Sequence, residues 1–112
     1  MTALRPATTG DKDLEALAVL CAAHFSEPWT KWGFLTEIAC GGYIPTAWEG
    51  ETLIGFAAVR AEDDVGYLSL IAVDPAFRRR GVASALLAAA EDWCRAAQLT
   101  RVLLEVRASN EG

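Results

Sequence analysis

The run Leu68-Ser69-Leu70-Ile71-Ala72-Val73-Asp74-Pro75-Ala76-Phe77-Arg78-Arg79-Arg80-Gly81-Val82-Ala83 constrains this chain more than any other segment. It reads as an apolar strand, a proline-closed turn and the N-terminus of a helix. A helix that starts just after a strand leaves its first-turn N–H groups unpaired and aimed at one spot, where the helix dipole also favours negative charge. Gly81 lets a ligand approach that backbone closely, and Ala83 keeps the next turn slim. Any strand-to-helix junction has free N–H groups, however, and an arginine run is ordinarily a solvated face. Geometry alone therefore leaves a ligand site and a plain surface turn both open.

The remaining chain supplies the context. From Asp11 to Phe25, the residues Leu14, Leu17, Ala18, Cys21 and Phe25 recur at helical spacing, with Thr9, Gly10 and Asp11 as candidate caps. Pro28 breaks that pattern, and a second short helix is expected from about Thr30 to Cys40, where Gly41-Gly42 stops it. Trp29 and Trp32 near the proline corner suit either core plugs or the lining of a peptide groove. Tyr43–Trp48 and Thr52–Arg60 read as strands joined by a Glu49-Gly50-Glu51 hairpin, and Ala61–Asp64 as a polar loop into a strand over Val65–Val73. Val82, Leu86, Leu87, Ala90, Trp93, Cys94 and Ala97 mark one face of a helix ending near Gln98, and Arg101–Arg107 is a further strand. Two helices, three strands, a helix and a strand make an α/β (α+β) chain: an antiparallel meander followed by one parallel crossover.

A chain of 112 residues is expected to form a single domain over 1–112. Its 53% hydrophobic and 22% charged residues are those of a globular protein, and the polar start Thr2-Ala3-Leu4-Arg5-Pro6 argues against a leader or membrane span, so a soluble cytoplasmic protein is expected. A net charge of −5 argues against nucleic-acid binding. Arg78-Arg79-Arg80 is the one local basic cluster and suits a small polyanion. Cys21, Cys40 and Cys94 are too widely spaced for a disulfide framework or zinc site and read as buried small hydrophobes; no metal is expected.

Arg78-x-x-Gly81-x-Ala83, with its preceding V-D-P strand and following amphipathic helix, resembles the acetyl-coenzyme A signature of the GNAT acetyltransferase superfamily. The resemblance extends over nearly the whole chain and implies the GNAT fold, a mixed central sheet with helices on both faces. It also implies that the strands before and after the signature helix splay apart to admit the pantetheine arm. Ile71, Ala72 and Val73 would bond pantetheine through their backbone, and the Val73 N–H would polarise the thioester carbonyl. Around the pyrophosphate, Arg78, Arg79, Arg80, Gly81, Val82, Ala83 and Ser84 would gather, mainly through backbone N–H groups.

Acetyl transfer to an amine also needs a base, and few residues qualify. Strict alternation puts Val102, Leu104 and Val106 on one side of the last strand and Leu103, Glu105 and Arg107 on the other, so Glu105 is a carboxylate in an otherwise apolar run. By pattern alone it is either a surface glutamate or a base. The segment Leu104-Glu105-Val106-Arg107-Ala108-Ser109-Asn110 is similar to that of the RimI-type ribosomal-protein-alanine N-acetyltransferases. That likeness implies that Glu105 accepts the amine proton and Asn110 contacts acetyl-coenzyme A. His24-Phe25-Ser26-Glu27-Pro28-Trp29-Thr30 is similar to the loop bordering the peptide groove in the same subfamily, which implies acceptor contacts at Pro28 and Trp29. His24 sits at a helix end, away from the strand pair.

In those relatives the sequence continues past the point matching Gly112 into a helix, a tyrosine that acts as general acid, and two strands; Tyr43 and Tyr67 do not match that tyrosine. The resemblance thus implies a C-terminally incomplete domain, with the final helix and strands missing and self-association through an open edge strand. The function expected is acetylation of the N-terminal alanine of a ribosomal protein. The alternatives are a small-molecule amine acetyltransferase and a coenzyme A-binding module without turnover.

Overall fold

The computed structural model describes residues 2–108, with side chains as far as Leu103. The elements follow in the order β1 (Thr2–Pro6), α1 (Asp11–His24), α2 (Lys31–Ala39), β2 (Pro45–Glu49), β3 (Thr52–Glu62), β4 (Val65–Val73), α3 (Val82–Ala96) and β5 (Arg101–Ala108). The strands form one sheet in the order β1-β2-β3-β4-β5. All neighbours run antiparallel except β4 and β5, which are parallel and joined through α3. This is the expected meander and crossover with one addition, the edge strand β1. The polar start of the chain gave no sign of it because all five of its residues are exposed, so it carries no buried face to read as alternation.

β3 is buried on both sides from Leu53 to Val59, as a central strand covered by helices must be. On one face, Leu14, Leu17 and Cys21 of α1 and Phe34 of α2 meet Trp48, Phe56 and Leu70. On the other, Val82, Leu86, Ala90 and Cys94 of α3 meet Ile54, Ala57 and Leu68. The four α3 residues recur at every fourth position, so one stripe of the helix lies on the sheet. Each fully buried Leu or Phe among these contributes roughly 1.5–3 kcal/mol relative to exposure. Contact between α3 and the sheet is close enough at Gly66 that a Cβ there would fall 2.6 Å from Cys94 Sγ. Cys21 and Cys94 are buried as expected, but Cys40 is exposed, because it follows the last turn of α2 just before Gly41.

A polar clamp fixes β1 to α1. Both guanidinium ends of Arg5 donate to the Asp13 carboxylate at 2.8 and 2.9 Å, and the Thr8 N–H and hydroxyl donate to it as well. The same guanidinium lies over the Trp48 ring. Asp13 is buried, and Arg5 first, with Thr8, holds its carboxyl far below the usual carboxylate range against the opposing pull of burial.

Two register shifts shape the functional end of the sheet. Against β3, Val59 pairs with Leu68 and Ala58 with Leu70, leaving Ser69 as the extra residue. Against β5, Leu68 pairs with Leu104 but Leu70 with Arg107, so β5 carries one residue too many between them. That shift interrupts the alternation expected between Val102 and Arg107. The β4–β5 ladder then continues to Ile71 and Ala108. The splaying expected of these strands is absent over that length, and any opening starts beyond Ile71.

Candidate functional site

The turn after β4 is built by local chemistry. Asp74 donates its N–H to the Ile54 carbonyl at 2.7 Å, and its side chain accepts the Ala76 N–H at 2.9 Å. Pro75–Phe77 then makes a single 3-10 turn. The strand does not pass straight into the helix: this turn and the arginine run intervene. Arg79 is left-handed, with φ +67, and Gly81 is left-handed at φ +76 and caps α3. No side chain caps that end, and the first i to i−4 bond runs from the Ala85 N–H to the Gly81 carbonyl. The N–H groups of Val82, Ala83 and Ser84 come before it, at the positive end of a 15-residue helix.

Gly81, Ala83 and Ser84 are exposed, whereas the Val82 side chain is in the core and leaves only its backbone to the site. A Cβ on Gly81 would meet no atom of the described residues within 4 Å, so glycine is favoured here by its backbone angle rather than by packing. Arg80 lies over the Phe77 ring, with its guanidinium carbon 5.0 Å from the ring centre. Uncapped N–H groups, open space and clustered guanidinium groups fit a diphosphate.

The strand leading to this turn has a polar edge of its own. Backbone groups alternate sides along a strand, and the Asp74 N–H faces β3. Ala72 therefore also directs its backbone to β3, opposite Phe56, while Ile71 and Val73 direct theirs towards β5. Ile71 is already paired with β5; Val73 lies past the end of that ladder. Of the three residues expected to bond pantetheine, Val73 is thus the one whose N–H and carbonyl face the edge beyond the pairing. Its carbonyl accepts the Nε–H of Arg78 at 3.3 Å.

On the other face, α1 ends at His24 and α2 is capped by the Thr30 hydroxyl, which accepts the Gly33 N–H. Pro28 in the connecting loop is exposed. Trp29 is half-buried, with its ring 5.2 Å from that of Phe34, so it serves as a core plug; Trp32 is the one that stands in solvent, 72% exposed. The proline corner alone could not separate the two, because the direction of each ring depends on where α2 docks. His24 is 9% exposed, and its Nδ1 is buried without a hydrogen-bond partner among the described residues. It lines one end of a groove of about 510 Å³ along α1 that reaches Leu53 and Asp74. Sequence reading left this groove unnoticed, since its walls bring one side of α1 together with Leu53 and Asp74 from distant parts of the chain, which no local pattern contains.

Glu105 falls in β5 between the two register positions that shift, level with Ser69 of β4; its side chain lies outside the described part, and Asn110 outside the described residues. Elsewhere, burial raises the Tyr43 hydroxyl, with Asp92 adding to the effect, and the Cys94 thiol, with Glu91 adding to it. Both belong to the α3 face: Tyr43 stacks on Trp93, and Cys94 is core. Among the described residues no group of three His, Cys, Asp or Glu converges as a metal site. None of their helices is long and apolar enough to cross a membrane.

The fold has known counterparts. The chain is 33% identical over 104 residues to the [ribosomal protein bS18]-alanine N-acetyltransferase of Haemophilus ducreyi, covering 92% of this chain and 71% of that protein. The solved ribosomal-protein-S18-alanine N-acetyltransferase of Escherichia coli superposes with a TM-score of 0.81 at 26% identity, over 98% of this chain and 70% of that one. The PaiA N-acetyltransferase of Thermoplasma acidophilum, solved with coenzyme A, shares the fold at a TM-score of 0.79 and 20% identity, over 93% of this chain and 78% of that one. Residues 12–112 match the Acetyltransferase (GNAT) family, and the chain belongs to that family of acetyl-CoA-dependent N-acetyltransferases.

Proposed function

We propose that this chain transfers the acetyl group of acetyl-CoA to the α-amino group of a protein that begins with alanine, a ribosomal protein in the cytoplasm. The observation that carries the donor half is the start of α3, where Gly81 is left-handed and no described side chain caps the N–H groups of Val82, Ala83 and Ser84. The acceptor half is supported by the likeness to the Haemophilus ducreyi enzyme, whose name specifies alanine of a ribosomal protein, and by the Leu104–Asn110 segment.

In this reading the diphosphate lies on the N–H groups of Val82, Ala83 and Ser84, with Arg79 and Arg80 adding charge and Asn110 a further contact. Acetyl-CoA supplies the activated thioester. The Val73 N–H faces the thioester carbonyl and stabilises the negative charge that develops on its oxygen. Glu105 takes the proton from the attacking amine as the new N–C bond forms and the C–S bond breaks, and coenzyme A departs as a thiolate that takes a proton from solvent. An α-amine is a favourable acceptor because its reference pKa of about 8 lies well below that of lysine at about 10.4. Pro28, exposed in the α1–α2 loop, borders the acceptor chain, while Trp29 behind it packs on Phe34.

The test is mass spectrometry of peptides and small amines incubated with acetyl-CoA and the protein. Acetylation at the α-amine of an Ala-starting peptide, well above that of free amines, is the expected result. Preference for small amines would replace the acceptor half of the proposal, and coenzyme A binding with only background transfer to any acceptor would replace the catalytic half.

A further inference from the structure

The groove along α1 offers a ligand apolar contact rather than free charge. Ala16, Val19, Leu20 and Ala23 recur along it at helical spacing, and Leu53 of β3 completes the wall. Val19 stands 71% exposed there. The charged residues on the walls are engaged elsewhere: Lys12 with Glu51 at 2.8 Å, Glu15 with Lys31 at 3.7 Å, and the Asp74 carboxylate with the Ala76 N–H. Two lining residues connect the groove to the halves of the site already described. His24 ends α1 and opens the loop that carries Pro28, and Asp74 directly follows Val73. Between Lys12 and His24 the helix rises about 18 Å, the span of roughly five residues of extended chain.

We propose that this groove holds the acceptor polypeptide beyond its first residues, as an extended segment with apolar side chains turned to α1, and so selects a protein over a free amine. The inference rests on the acceptor reading above. A small amine ends before the groove and gains nothing from it, whereas a polypeptide continues past Pro28 and needs a surface to lie on. The buried Nδ1 of His24, with no hydrogen-bond partner among the described residues, is a costly arrangement. A polypeptide backbone carries a donor and an acceptor at each residue, so a turn of the ring lets it pair that nitrogen in either tautomer. The paired charges on the rim leave apolar area as what the groove recognises, which favours an acceptor with an apolar stretch a few residues after its alanine.

The experiment measures kcat/KM for an Ala-starting tripeptide, an Ala-starting octapeptide with apolar residues in its second half, and the same octapeptide with serines there. The wild type is expected to favour the apolar octapeptide over both others about tenfold, the effect of burying about two methylene groups. Val19→Glu puts a charge on the wall at an exposed helix position and should bring that ratio close to one, while Val19→Leu should keep it. His24 is the one histidine of the chain, so its imidazole resonances are unambiguous; they should move when the apolar octapeptide is added to the wild type and stay in place with the tripeptide. Equal kcat/KM for the three peptides, a ratio unchanged in Val19→Glu, or His24 resonances unmoved at saturating octapeptide overturns the inference and leaves the acceptor reading standing. A sedimentation mass that doubles in the wild type and halves in Val19→Glu assigns the groove to a second copy and overturns it too. A wild type that acetylates no Ala-starting peptide removes the acceptor reading and takes this inference with it.

Discussion

Gly81→Ala separates what the turn costs the fold from what it provides to a ligand. Gly81 has φ +76 and ψ 12, and no heavy atom of the described residues lies within 4 Å of where a Cβ would stand. The fold therefore meets no clash, only the cost of a left-handed L-residue, about 1 kcal/mol. Unfolding entropy of roughly 2.1 cal/mol/K per residue, taken over 112 residues, converts this to a drop in Tm of about 4 °C. On the proposed reading the ligand meets the methyl directly, because the diphosphate would approach the N–H groups of Val82–Ser84 through the same space. Affinity for coenzyme A should fall at least tenfold, about 1.4 kcal/mol. Gly81→Asn tests the division, since asparagine tolerates the left-handed region: it should recover part of the stability and still bind poorly. Differential scanning calorimetry gives the first quantity and isothermal titration the second. A Tm loss several times larger would mean that Gly81 is packed rather than open. Unchanged affinity in both variants would show that the diphosphate does not lie on this turn.

Glu105→Gln should lower turnover at neutral pH by about a hundredfold or more, the usual contribution of a positioned base, with coenzyme A affinity nearly unchanged; steady-state rates on an Ala-starting peptide at wild-type level would remove Glu105 from the chemistry. Asp13→Ala should destabilise by about 2–3 kcal/mol, less than a fully buried pair because Arg5 is 42% exposed. Since the Asp13 carboxyl is depressed in the folded state, its contribution is present above the unfolded value of about 3.9 and is lost as pH falls, so urea midpoints from pH 7 to 2.5 should decline below about pH 5 and do so less in the variant. Gly66→Ala, which forces a Cβ to 2.6 Å from Cys94 Sγ, should cost about 1–3 kcal/mol in urea unfolding. Most of that loss should return in a Gly66→Ala/Cys94→Ala double variant, and additivity of the two changes would show that the contact is not the cause.

The cofactor half of the site was legible because it is made by neighbours in sequence. Pro75, Gly81 and the four-residue spacing of Val82, Leu86, Ala90 and Cys94 each act within a few residues of themselves, so strand, turn and helix follow from local rules. The range Val65–Val73 was read to the residue because both its ends are turns of that kind, a two-residue connection with Asp63 at φ +56 and the Asp74 cap. β1 obeys no such rule. Its five exposed residues acquire a structure only through pairing with β2, more than forty residues away, and through the reach of Arg5 to Asp13.

The same distinction explains why the acceptor half was read less well. Trp29 and Trp32 lie three residues apart, and nothing local says which ring turns inward; the position of Phe34 against Phe56 decides it. Glu105 was placed by alternation along β5, yet the register shift between Leu104 and Arg107 breaks that alternation at the residue in question. Such a shift arises from how two strands fit each other, beside the extra residue Ser69 on β4, and no single-strand pattern contains it. A site whose donor half is made of backbone and whose acceptor half is made of side chains from separate elements has an evolutionary consequence. On the proposed reading, changes in α2, in the α1–α2 loop and in β5 would redirect which amine is acetylated without touching the N–H groups of Val82, Ala83 and Ser84.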